Sequence, residues 1–80
     1  MQIIELLREN LDVFFMAVQQ DPDSALIEEA GHLSDDHYYA VYELNDEVFL
    51  FHFAKKILSQ LIVFENVPAA LEYLRSAAKP

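Results

Sequence analysis

The stretch from His37 to Ala54 constrains the fold more than any other part of the sequence. It reads HYYAVYEL, then Asn45 and Asp46, then EVFLFHFA. β-Branched and aromatic residues thus lie on both sides of two residues that tolerate a positive φ, and this pattern predicts a β-hairpin closed by a tight turn. The turn sets the register, in which the pairs are Leu44 with Glu47, Tyr42 with Phe49, Ala40 with Phe51 and Tyr38 with Phe53.

Both faces of this predicted hairpin are apolar. Pleating places Tyr38, Ala40, Tyr42, Phe49, Phe51 and Phe53 on one side, and Tyr39, Val41, Val48, Leu50, His52 and Ala54 on the other. Both sides therefore have to be covered, and a chain of 80 residues has few elements with which to do so. We expect a surface outside the chain to complete the burial.

Composition predicts one globular domain spanning residues 1–80. The sequence is 54% hydrophobic, which is too apolar for a disordered chain. It contains no cysteine, so neither a disulfide nor a thiolate metal site can stabilise it. Charged residues interrupt the first ten positions, and about 18 consecutive apolar residues occur nowhere. We therefore expect a cytoplasmic protein with no membrane contact.

The charge distribution predicts one negative side. The net charge is −9, and nine acids but no Lys or Arg lie between Asp21 and Glu47. Such a field repels nucleic acid and anionic membrane and attracts basic partners. The candidate acidic contact residues are Asp21, Asp23, Glu28, Glu29, Asp35 and Asp36. The competing interpretation is that these acids only keep a small apolar domain soluble.

Two helices are predicted before the hairpin. Apolar residues between positions 2 and 19 cover about 200° of a helical wheel, so this long helix should touch more than one neighbour. A short helix follows, with Asp21 as N-cap, Pro22 at its first position and an end near Ala30 before Gly31.

The segment after the hairpin has an ambiguous pattern. Ala54, Ile57, Leu58, Leu61 and Ile62 fall at helical spacing, whereas LIVFE has the β-branched enrichment of a strand. We predict an irregular piece over 55–59 and a strand over 60–65. Asn66 then caps a C-terminal helix with Pro68 in its first turn. The expected fold is α+β, with a long helix, a short helix, a three-stranded antiparallel sheet and a C-terminal helix, both terminal helices on one sheet face.

The residues that could carry chemistry are few. His32, Asp35, Asp36 and His37 could supply metal ligands, but their spacing is weak evidence for a metal site, and an exposed acidic loop before a strand is the favoured interpretation. His52 is expected to be a hydrogen-bonded structural histidine. No serine lies in a nucleophile elbow, and a single glycine cannot form a phosphate-binding loop. We therefore predict no catalysis, no cofactor and no metal.

These patterns favour a small acidic protein–protein interaction module that associates with itself. The expected apolar contact residues are Val13, Phe15, Tyr39, Val41 and Leu50. The alternative is an inhibitor of the phage or mobile-element type, whose acids imitate nucleic acid and occupy a basic groove on a target protein. Mimicry requires carboxylates spaced like phosphates on one rigid surface, whereas an interaction module requires only an apolar patch.

Overall fold

The computed structural model describes residues 2–4, 8–32 and 35–78. Its elements are β1 (Gln2–Ile4), α1 (Arg8–Gln20), β2 (Ala25–Ala30), β3 (His37–Leu44), β4 (Glu47–Ala54), β5 (Ile57–Phe64) and α2 (Val67–Ala77). The strands form one antiparallel sheet in the order β1-β5-β4-β3-β2. The predicted architecture is wrong, because the described residues form five strands and two helices instead of three of each.

The central hairpin has the predicted turn and register. Asn45 and Asp46 have φ values of 52° and 66°, in the left-handed region that a primed turn requires. Strands β3 and β4 pair from Leu44 with Glu47 to Tyr38 with Phe53, as predicted, and continue to His37 with Ala54. This part of the prediction is confirmed because the turn residues themselves determine the register.

The strand after the hairpin begins earlier than predicted. Lys55 and Lys56 form a second tight turn with φ values of 53° and 69°, so β5 already starts at Ile57. A register shift lies where β5 pairs with His52 and Phe53. This bulge allows Leu58 and Leu61, three positions apart, to join the same core cluster. The apolar residues after the hairpin that fall at helical spacing in the sequence thus belong to a strand with a bulge.

The N-terminal helix is shorter than predicted. Residues 2–4 form an edge strand that pairs with β5, and the helix spans only Arg8–Gln20. The β-branched side chains of Ile3 and Ile4 suit a strand, and the exposed edge of β5 provides its hydrogen-bonding partner. The wide apolar arc predicted for a single helix therefore includes residues of an edge strand as well as residues of α1.

The predicted short helix is instead strand β2. Asp21 Oδ1 accepts a hydrogen bond from the Asp23 amide at 2.9 Å, and the Ser24 amide donates to the Asp21 carbonyl at 3.1 Å. This turn uses the same residue types that cap helices, so its sequence resembles a helix start. Gly31 has φ +80° where β2 ends, and a Cβ there would lie 2.8 Å from the His37 carbonyl oxygen.

The two helices cover opposite faces of the sheet, not the same face as expected. Helix α1 joins β1 at one edge to β2 at the other. Its 13 residues span about 20 Å, close to the four strand spacings that separate the edges. Its buried residues Leu11 and Val18 pack on one core cluster, whereas Ala70 and Leu74 of α2 pack on the other.

The C-terminal helix begins at its predicted cap. Asn66 has extended backbone angles and its side chain accepts a hydrogen bond from the Ala69 amide at 2.9 Å. Pro68 lies in the first turn, where its missing N–H removes no helical hydrogen bond. This cap directs α2 back across the sheet from the end of β5.

We expect Phe51→Ala to destabilise the fold strongly. Phe51 is fully buried, and its ring lies 4.8 Å from the ring of Phe15 and 5.9 Å from that of Tyr42. Removing it should lower the free energy of unfolding by about 3–5 kcal/mol, because a cavity replaces these contacts. Urea denaturation measures this loss. Leu26→Ala, at a half-exposed position, is the control, and equal losses in both variants would contradict the central place of Phe51.

Candidate interaction surfaces

The last two turns of helix α1, beyond Glu9 and Asp12, present an uncharged surface to solvent. The side chains of Val13 and Met16 are 66% and 53% exposed, and Ala17 and Gln20 are also exposed. These four positions lie on one side of the helix because residues three and four apart are neighbours on its surface. No charged residue occurs from position 13 to position 20. We call Val13, Met16, Ala17 and Gln20 the outer face of α1.

Aromatic contacts hold the opposite side of α1 on the sheet. The ring of Phe14 meets that of Phe49 edge-on at 5.2 Å, and the ring of Phe15 meets that of Phe53 edge-on at 5.1 Å. Such edge-to-face pairs add to the free energy of burial and prefer a defined ring geometry. The helix therefore has a fixed orientation, which keeps its outer face directed away from the sheet.

The structure separates the predicted apolar contact residues. Val13 lies on the outer face of α1, whereas Phe15 is half-buried beneath the helix. Tyr39, Val41 and Leu50 are buried in the cluster under α2. In the folded chain these three are core residues and not surface contacts, which corrects the prediction. The reason is that α2 covers this face of the sheet, for which the sequence predicts no intramolecular partner.

The six predicted acidic contact residues do not share one surface. Glu28 pairs with Val41 and Glu29 pairs with Ala40, so their side chains point to opposite faces of the sheet. Asp21 and Asp23 precede β2, whereas Asp35 and Asp36 precede β3, which starts at the other end of the sheet. This distribution does not favour imitation of a phosphate backbone, because strand geometry replaces the predicted helix.

A groove lies between α1 and the end of β2. It has a volume of about 230 Å³ and is lined by Phe15, Gln19, Glu29, Gly31, His32, Tyr38 and Phe53. We call it the aromatic groove. The Tyr38 hydroxyl donates a 2.5 Å hydrogen bond to Glu29 Oε2. Burial raises the pKa of Tyr38 well above its ordinary value, and this hydrogen bond and the Glu29 charge raise it further, so the hydroxyl remains a donor.

The sequence contains no local pattern that predicts the aromatic groove. Glu29 was expected on a helix and Tyr38 on a hairpin, so no local pattern placed the two side chains together. Only the pairing of β2 with β3 brings them into contact. An alternating pattern in residues 25–30 could have indicated the strand, but the bulge at Ile27 interrupts it.

Two histidines form a hydrogen-bonded pair on the other sheet face. His37 Nδ1 and His52 Nε2 are 3.0 Å apart, and the ring planes differ by 21°. The rings therefore meet edge to edge, with one nitrogen donating to the other. The ring of Tyr39 stacks on that of His52 at 4.4 Å. This pair confirms the expectation that His52 is a hydrogen-bonded structural histidine.

Burial lowers the pKa of His52, and the proximity of His37 lowers it further. A neutral His52 can accept the hydrogen bond from His37, and protonation of both rings would break it.

His32, Asp35, Asp36 and His37 are the candidate metal ligands in the sequence. Within the described residues, however, no group of three or more His, Asp or Glu side chains is placed to hold a metal ion.

Comparison with protein-family models, curated proteins and solved structures finds no match for this chain. In the described part of the chain, neither helix combines the length and apolarity needed to cross a membrane.

We expect the His52 imidazole to make stability depend on pH. Its folded-state pKa lies below the ordinary histidine value of 6.5, so the unfolded chain binds the proton more readily. The stabilising contribution is present above about pH 6.5 and is lost as pH falls toward the folded-state pKa. Urea denaturation between pH 8 and pH 5 measures the change in the free energy of unfolding.

His52→Gln should lose less stability on acidification than the parent, because it lacks this group. His32→Gln, which removes an exposed histidine outside the pair, is the matched control. The same pH dependence in the parent and in His52→Gln would contradict the assignment.

Proposed function

We propose that this protein is a non-catalytic interaction module that self-associates through the outer face of α1. The observation that carries the proposal is the exposure of Val13 and Met16 within residues 13–20, the part of α1 that follows Glu9 and Asp12 and has no charge. Solvent-facing helix positions are ordinarily polar or charged, and an exposed apolar stripe is typical of a contact surface.

Electrostatics supports this surface over others. Two copies that each carry a net charge of −9 repel one another, so association is least costly where the surface has no charge. Residues 13–20 are such a run, and most of their side chains are exposed. The uncharged runs at 48–54 and 57–64 lie in strands that are largely buried. The outer face of α1 is therefore the surface on which two copies meet with the least repulsion.

A twofold arrangement suits this contact. Most homodimers are isologous, so that the same patch contributes from both subunits. Packing α1 against its copy would place Val13 of one subunit near Met16 of the other and bury both. The outer face is small compared with the roughly 800 Å² per subunit of a standard interface. We therefore propose a weak, concentration-dependent dimer.

The environment of two hydroxyl groups supports the non-catalytic part of the proposal. Ser24 Oγ donates to the Asp21 carbonyl at 2.9 Å, and Ser59 Oγ donates to the His52 carbonyl at 3.1 Å. Both hydroxyls are engaged with the backbone, and neither is hydrogen-bonded to a side-chain base that could activate it as a nucleophile. Their contacts stabilise the turn before β2 and the β4–β5 pairing.

We expect Val13→Glu and Met16→Glu each to shift the dimer toward monomer. A charge on the outer face would oppose the same charge on the second copy and remove apolar contact. Sedimentation velocity from about 10 μM to 1 mM measures the association. Added salt should strengthen dimerisation of the parent chain by screening the repulsion.

Ser76→Glu provides the matched control, because it adds the same charge at an exposed position on α2. Self-association should survive this change. A parent chain that remains monomeric over the whole range, or an equal effect of Ser76→Glu, would overturn the proposal.

A further inference from the structure

We propose that the aromatic groove binds an arginine or lysine side chain of a basic partner protein. This site goes beyond self-association and does not depend on it. Phe15 and Gln19 line the groove, whereas Val13 and Met16 lie on the outer face of α1. A basic partner and a second copy of the chain would therefore use different surfaces.

The groove has the shape and lining of a cation site. The ring of Phe53 lies 5.1 Å from that of Phe15 and 5.6 Å from that of Tyr38, so three aromatic rings come from three different elements. The faces of aromatic rings attract cations, and guanidinium and ammonium groups both bind to them. A volume of about 230 Å³ is below that of a typical small-molecule pocket and suits one long side chain.

Glu29 supplies the negative charge. One of its carboxylate oxygens accepts the hydrogen bond from the Tyr38 hydroxyl, which orients both side chains. A carboxylate has two oxygens and several acceptor positions, so Glu29 can receive a cationic donor while it holds Tyr38. The site thus combines an oriented carboxylate with aromatic surface, the two features that recognise a basic side chain.

The charge of the whole chain selects the class of partner. At −9 the protein attracts basic segments and repels phosphate, so the electrostatic field brings the same kind of group that the groove accepts. The acidic residues that create this field lie at both ends of the sheet, so the field by itself does not define a binding position. The groove gives the position, because it places three aromatic rings and Glu29 around one small volume.

The probe is N-acetyl-arginine amide, and its matched control is N-acetyl-citrulline amide, which has the same shape and no charge. Titration of the ¹⁵N-labelled full chain at pH 8, above the ordinary range of histidine, follows the backbone amide shifts. The arginine probe should produce saturable shifts at Glu29, Tyr38 and Phe53 with a millimolar dissociation constant. The citrulline probe should produce none.

Glu29→Gln is the decisive variant, because glutamine still accepts the Tyr38 hydrogen bond but has no charge. It should weaken arginine binding by about fivefold. Glu28→Gln causes the same change in net charge on the opposite sheet face and should leave binding within about twofold. Phe15→Leu keeps the charge and removes one ring, so it tests the groove independently and should also weaken binding.

Three outcomes would overturn the proposal. Equal weakening by Glu28→Gln and Glu29→Gln would show diffuse attraction without a site. Equal binding of the citrulline probe would show that the groove does not recognise charge. Shifts that increase without saturation, or that occur away from the groove, would show that arginine only associates with the surface.

Discussion

Burial of the central hairpin on both of its faces is the constraint on which the rest of the structure depends. Ala40 and Phe51 lie fully buried on one side, and Val41 and Leu50 lie fully buried on the other. A sheet with two apolar faces needs a layer on each, and this chain supplies one helix for each face. The opposite placement of α1 and α2 follows from this requirement, as does the long path of α1 across the sheet.

The same constraint decides which surfaces remain for contact with other molecules. Both helices use their apolar sides for the core. Among the described residues, the most exposed large apolar side chains are Val13 and Met16 of α1, followed by Ile3, Leu26 and Ile57 in the strands. The edge strand β2 carries a bulge and two adjacent acids, Glu28 and Glu29, which discourage pairing with another strand. The self-association that we propose therefore uses the helix and not this edge of the sheet.

The aromatic groove depends on contacts between distant parts of the chain. Glu29 and Tyr38 come from neighbouring strands, Phe53 from the next strand, and Phe15 from a helix that reaches this place only because it crosses the sheet. Each residue has an ordinary structural explanation when considered alone. Together they form a partly enclosed site because strand pairing and helix packing bring them to one volume.

The sequence by itself determined the features that depend on a few adjacent residues: the hairpin register, set by Asn45 and Asp46, and the start of α2, set by Asn66. Its prediction of Val13 as a contact residue remains a prediction, for a side chain that the structure leaves exposed. Only the tertiary structure decided that residues 2–4 and 25–30 are strands, that a bulge aligns Leu58 with Leu61, and that Glu29 meets Tyr38. The physical reason is that strand pairing and burial join residues far apart in the chain, and their combined free energy exceeds the small local preferences that a sequence pattern reports.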